Sequence, residues 1–207
     1  MVISERSPAD PSPALSVLTA SPLFHNLESA AQVEIAGDLT FVALAAGEAL
    51  FRQDDPGDSM YIVESGLLEV RVREADGAEL VLDRLDAGEG VGEMALLTGR
   101  PRTADVVAMV DSRLLCIPKG AFDRLVERRS TIAADFALAI APRIQRLQLA
   151  GILTRLFGPL DPATLHTIQE QVTWRRLADG ERLFHQGELG TSMFIVVNGR
   201  LQVVLER

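Results

Sequence analysis

The chain has 207 residues and a formal net charge of −9, and 47% of it is apolar with only 5% aromatic. That length provides one ordinary domain plus part of another, or two small ones, with cores that Val, Leu, Ile and Ala must fill. The acidic balance argues against nonspecific binding to DNA, RNA or anionic membrane, which runs on many Lys and Arg contacts to phosphate.

The N-terminal text MVISERSPADPSPA is polar and proline-rich, with no apolar segment of the signal-peptide kind. Residues 1–13 are therefore expected to form a disordered tail. No later run approaches the ~20 apolar residues that span a bilayer, so the chain is expected to be cytoplasmic and without membrane contact.

ESAAQVEIAGDL (28–39) reads as helix. From Leu39 to Ile117 the text changes to short strands split by glycine turns. FVALAAGEALFRQ gives two strands around Gly47, DSMYIVESGLLEVRVRE gives two around Ser65-Gly66, GAELVLDRLDAGEG continues the pattern, and RTADVVAMVDSRLLCIP closes it. This spacing predicts an all-β barrel or jelly roll. Helical text returns in KGAFDRLVERRS (119–130) and in residues 131–157, where Ile132, Phe136, Ile140, Ile144 and Leu147 recur on one face. Pro142 marks a place for a kink. The expected class is mainly β with flanking helices: a jelly-roll-like β-roll with helices before and after it.

The chain then repeats itself. GEALFRQDDPGDSMYIVESGLLEV starts at Gly47 and GERLFHQGELGTSMFIVVNGRLQV starts at Gly180, at a constant offset of 133 with no gap. Turn glycines and β-branched residues recur in unrelated hairpins. The matching Phe, Gln, Ser and Met do not, so the repeat is read as a duplication. Trp174 repeats the position of Phe41 and is expected in a core. The division that follows is a tail (1–13), a domain (14–150) and the N-terminal part of a second, truncated copy (151–207).

One stretch concentrates chemistry. VGEMALLTGRPRTADVV (91–107) places a glycine and an acid before a short apolar helix, and an arginine after the loop that follows. It resembles the phosphate-binding cassette of the cyclic nucleotide-binding domain, which reads Gly-Glu-apolar-Ala-Leu, a loop, then Arg-small-Ala. Here that is Gly92, Glu93, Met94, Ala95 and Leu96, then Arg102, Thr103 and Ala104. The resemblance covers roughly residues 15–150, and 159–207 as an unfinished copy. It implies a β-roll flanked by helices, a cAMP or cGMP ligand and no metal.

The residue types suit such a ligand. A cyclic phosphate calls for backbone N–H groups, here from Gly92 to Leu96, and for a planar guanidinium, Arg102. A ribose hydroxyl calls for a carboxylate acceptor, Glu93. The Thr103 hydroxyl follows the arginine, within reach of the phosphate or the base. Asp105 would oppose an anion if it faced the pocket, but strand alternation turns it away from Arg102.

Cys116 lies in the apolar run RLLCIP and reads as a small buried hydrophobe. His25, His166 and His185 are too scattered for a cupin-like metal site, and no nucleophile elbow or P-loop is present. The chain reads as a non-enzyme: a sensor that signals through the helix after the barrel to an effector outside it. The alternative is a non-binding oligomerisation domain. A homodimer through the C-terminal helix or the open second copy is the protein partner expected. The tandem arrangement resembles kinase regulatory subunits and, more closely, the N-terminal halves of patatin-like phospholipases of the neuropathy-target-esterase type.

Overall fold

Alternating apolar residues give each strand of the roll two faces, and both faces are used. A computed structural model describes residues 3–6, 11–25, 27–73, 77, 79–129, 131–158 and 160–205. Its elements in chain order are β1 (Ile3–Arg6), α1 (Ser12–Ala20), α2 (Ser29–Ala36), β2 (Thr40–Leu44), β3 (Ala49–Phe51), β4 (Ser59–Ser65), β5 (Leu68–Arg73), β6 (Glu79–Leu85), β7 (Gly90–Val91), α3 (Glu93–Thr98), β8 (Asp105–Ala108), β9 (Ser112–Pro118), α4 (Lys119–Arg128), α5 (Thr131–Phe157) and α6 (Pro162–Gln171). The strands make two sheets, ordered β1-β2-β9-β4-β7 and β3-β8-β5-β6. Every pairing is antiparallel, and in the β4–β9 ladder Tyr61 lies opposite Cys116.

The first sheet separates two cores. On one face Phe41, Met60, Ile62, Leu115 and Ile117 pack with Leu18, Ile35, Phe122 and Phe136 from the helices. On the other, Val42, Val63 and Leu114 meet Leu68, Val70 and Val106 inside the roll. The Phe136 ring sits 5.4 Å from Phe24 and 5.0 Å from Phe122, and each such pair adds about 0.5–1.5 kcal/mol beyond burial. This is the mainly β roll with flanking helices that the sequence predicts.

The expected face of α5 is buried at Ile132, Phe136 and Ile140, with Ile144 packed against the same core. Pro142 lies inside α5, which continues to Phe157. Two helices escaped the sequence reading. α1 begins with Pro11 as its N-cap and a proline in its first turn, where the missing N–H is harmless. α6 is capped by Asp161, which accepts the Thr164 N–H.

The expectation of a disordered tail is corrected over residues 3–6. They form β1, paired from Ile3↔Ala43 to Arg6↔Thr40, and so satisfy the outer edge of β2. The rest of residues 1–10 lies outside the described residues.

The chain divides into two compact units, residues 1–144 and 145–207. In the second, Leu149, Ala150, Leu153 and Leu165 are buried, and the Gln169 amide donates to the Arg146 carbonyl.

The duplicated text keeps its local geometry. Gly47, Asp54 and Gly66 have φ of 84°, 70° and 108°, and their counterparts Gly180, Gly187 and Gly199 have 75°, 87° and 99°. Phe51 and Tyr61 lie 6.2 Å apart between ring centroids, as do Phe184 and Phe194. Glu48 accepts the Ala45 N–H, and Glu181 accepts that of Ala178.

The strands expected in the second copy, however, are absent among the described residues of 172–205. The first copy shows why. β3, β4 and β5 never pair with one another; their partners are β6 to β9. A repeat of β3 to β5 alone therefore has no ladder to close. Met193 is 68% exposed and Val203 is 89% exposed, where Met60 and Val70 are buried. Trp174, expected in a core, is exposed for the same reason.

Candidate functional site

The sequence from β7 to β8 folds as a turn, a single short helix and a return strand. Gly92 is the N-cap of α3 and sits at φ 86°, in the left-handed region. Its N-cap glycine has no side chain, so it offers no cap to the first N–H groups of the helix. A Cβ on residue 92 would stand 2.5 Å from Arg102 Nη1. Glycine is thus required twice, by the backbone angle and by the arginine lying against it.

Arg102 is held from both directions. Its backbone N–H donates to the Asp55 carbonyl, and its own carbonyl accepts the Asp54 N–H, both at 2.9 Å. Its side chain is turned inward and is only 4% exposed as a residue. Nη1 donates to the carbonyls of Ser59 at 2.6 Å and Gly92 at 3.1 Å, and Nη2 donates to Ser59 Oγ at 3.1 Å. Nε is buried without a partner. The guanidinium lies 4.2 Å from the Phe51 ring centroid and 6.0 Å from that of Tyr61.

Every hydrogen-bond partner of this cation, among the described residues, is uncharged. Burial pulls its pKa below the usual arginine value, while Tyr61, Asp58 and Asp55 act on it only at a distance. Among the described residues, then, this buried guanidinium has no ion pair and keeps N–H groups without a hydrogen bond.

Glu93 is buried at the start of α3, directly after Gly92. Its carboxylate lies 3.8 Å from Arg143 Nη1, and Arg143 Nε lies 3.9 Å from Asp83 on β6. Arg143 is itself buried, and its Nε also makes no hydrogen bond. Thus α5 brings a buried cation, Arg143, to Glu93.

The other sequence candidates divide. Ala95 packs against Gly57, where a Cβ would approach the Ala95 Cβ to 2.1 Å. Leu96 joins the helix-side core and Ala104 the core of the roll. Met94 is half-buried, with its carbonyl accepting the Thr98 hydroxyl. Thr103 is exposed, on the face opposite Arg102 and Ala104. Asp105 faces away from Arg102: its carboxylate accepts the Gln53 N–H at 2.6 Å and pairs with Arg73 at 3.2 Å. Arg100 is an exposed loop charge.

The sequence reading missed Phe51, Tyr61, Ser59, Gly57, Asp83 and Arg143. Phe51 and Tyr61 had a signal. Both positions remain aromatic in the repeat, in a chain that is only 5% aromatic. Arg143 had none, since its partners are far off in sequence. Cys116 is half-buried opposite Tyr61, and burial pushes its thiol pKa up, which suits packing better than nucleophilic attack. Among the described residues no group of His, Cys, Asp and Glu could hold a metal ion. Nor is any helix among them long and apolar enough to cross a membrane.

Comparison with known proteins agrees with this geometry. Residues 41–129 match the family model of the cyclic nucleotide-binding domain, and this segment is a domain of that family. It is 28% identical over 182 residues to a cAMP-dependent protein kinase regulatory subunit of Blastocladiella emersonii, covering 88% of this chain and 43% of that protein. It is 30% identical over 156 residues to the neuropathy target esterase sws of Drosophila melanogaster, covering 72% of this chain and 11% of that one. The chain thus spans less than half the length of either relative. Among solved structures it is similar to the catabolite activator protein of Thermus thermophilus, at 30% identity and a TM-score of 0.57 over 65% of this chain and 63% of that one.

Proposed function

We propose that residues 14–150 are a regulatory module that binds a cyclic purine nucleotide, cAMP or cGMP, and signals its presence through α5. The observation that carries this reading is Arg102, a buried cation bonded only to neutral groups and held against the cassette glycine. A singly charged cyclic phosphate supplies the missing charge, and the Nε–H and the second N–H of Nη2 are the donors left to receive it. The carboxylate of Glu93 takes the ribose hydroxyl. Among the candidates named from the sequence, Gly92 admits the arginine, while Ala95, Leu96 and Ala104 hold the cassette in place.

Coupling follows from the second partner of Glu93. A ligand hydroxyl at that carboxylate competes with Arg143, so ligand occupancy and the position of α5 bias one another. An effector, in the cytoplasm, reads that bias. Residues 151–207 are the N-terminal part of a second domain of the same kind, as the repeated turns and ring pair support. The rival reading, a structural or oligomerisation roll that binds nothing, rested on Asp105 and on the overall negative charge; the pairing of Asp105 with Arg73 weakens the first of these.

Calorimetry of the full chain with cAMP and with cGMP tests the proposal. Saturable binding of at least one nucleotide is expected. Binding of neither leaves the rival reading standing.

A further inference from the structure

The burial of Arg102 raises a problem that the cassette alone does not solve. Removing a cation from water is unfavourable unless something replaces the solvent. A carboxylate would do so, but it would also neutralise the charge that an anionic ligand needs, and would compete with that ligand for the same donors. The carbonyls of Ser59 and Gly92 take both N–H groups of Nη1, and the Ser59 hydroxyl takes one of the two on Nη2. They leave the flat face of the guanidinium uncovered.

That face lies over the Phe51 ring, with Cζ 4.2 Å from the centroid, and Tyr61 follows at 6.0 Å. The two rings form one tilted pair, 6.2 Å apart. An aromatic face attracts a guanidinium through its quadrupole, and the attraction grows when water is excluded. It does so without taking up an N–H and without cancelling the charge.

We infer that Phe51, backed by Tyr61, is a positioning residue of the anion site: it stabilises the buried Arg102 guanidinium as a free cation and fixes its plane, so that its Nε–H and the second N–H of Nη2 are left for the ligand. This rests on the reading of Arg102 as the phosphate-binding group. The ring pair itself recurs in the repeat, with no guanidinium over it among the described residues. Phe184 and Phe194 recur at the same offset with the same 6.2 Å separation, although that segment has no strands to impose it.

The test uses the full chain and the variants Phe51→Leu, Phe51→Tyr and Arg102→Lys. Arginine side-chain NMR comes first, without ligand. The unmutated protein should show a guanidinium Nε–H resonance shifted upfield by the ring current, assigned to Arg102 by its loss in Arg102→Lys. Phe51→Leu should return it towards the ordinary position, and Phe51→Tyr should keep it. Calorimetry with cAMP and cGMP comes second. Phe51→Leu should bind about tenfold more weakly, and Phe51→Tyr within about threefold of the unmutated protein. A resonance unmoved by Phe51→Leu overturns the inference. So does unchanged affinity in that variant, or an equal loss in Phe51→Tyr. If the unmutated chain binds neither nucleotide, the functional reading fails instead, and the resonance alone decides whether the rings hold Arg102.

Discussion

Glu93 of the cassette helix and Arg143 of α5 approach to 3.8 Å, and both are buried. This pair directly links α3 to the helix that follows the roll. At that separation it is a looser contact than a bidentate ion pair, so its strength is moderate. A double-mutant cycle with Glu93→Gln and Arg143→Met should give a coupling of about 1 kcal/mol in thermal or urea unfolding. Additive effects would mean that the two side chains are neighbours without interaction. Hydrogen exchange supplies the functional half. Nucleotide should alter protection along α5 in the unmutated chain, and should alter it far less in Arg143→Met.

Gly57 and Gly92 make a steric prediction that separates two kinds of glycine. A Cβ at Gly57 would meet the Ala95 Cβ at 2.1 Å, so alanine there must push α3 away from the loop before β4. Overpacking of this kind destabilises by about 1–3 kcal/mol. Gly92→Ala adds the left-handed backbone angle to its clash with Arg102. Gly99, also left-handed, has nothing within 4 Å of its missing Cβ. Its alanine variant should lose only the conformational part, about 1 kcal/mol. Melting temperatures of the three variants check the order, with Gly99→Ala the mildest.

Cys116 and Tyr61 face each other across the β4–β9 ladder, and burial raises the pKa of both. Each is neutral when protonated, and the folded state holds the proton more tightly than the unfolded chain. Their contribution to stability is therefore complete below the ordinary thiol pKa of about 8.5 and is lost as pH rises through the raised values. Unfolding midpoints should fall above about pH 9, less steeply in a Cys116→Ala, Tyr61→Phe double variant. Alkylation of the thiol at pH 8 should be slow until the protein is unfolded. Rapid labelling of the native chain would contradict this burial.

The second copy should behave as text without a ladder. Amides in residues 180–203 lack strand partners, whereas their counterparts in β4 and β5 are paired along both edges. Native-state exchange should be fast in the former and slow in the latter. Equal protection would show that the duplicated strands find partners after all.

Much of this was legible in the sequence because it is local. The strands split by glycine turns, the apolar face of α5, and the run from Gly92 to Arg102 each lie within one short segment. Asp105 does engage Gln53 and Arg73 rather than Arg102, but β8 begins only at Asp105, so strand alternation from Arg102 is not what places it. What the sequence hid is what the fold assembles. Phe51, Ser59 and Tyr61 reach Arg102 from β3 and β4, and Arg143 reaches Glu93 from α5. No window of sequence contains those neighbours together. β1 and α1 were missed for a different reason: serine and proline read as tail, although an open strand edge and a helix's first turn accept them.

The most direct measurement of the central claim is calorimetric titration of the full chain with cAMP and cGMP, repeated with Arg102→Ala. Binding to at least one nucleotide is predicted, weakened by about 2–5 kcal/mol in the variant, or roughly 30-fold to a few thousand-fold. Nucleotide binding that survives the loss of Arg102 at full affinity would contradict the account.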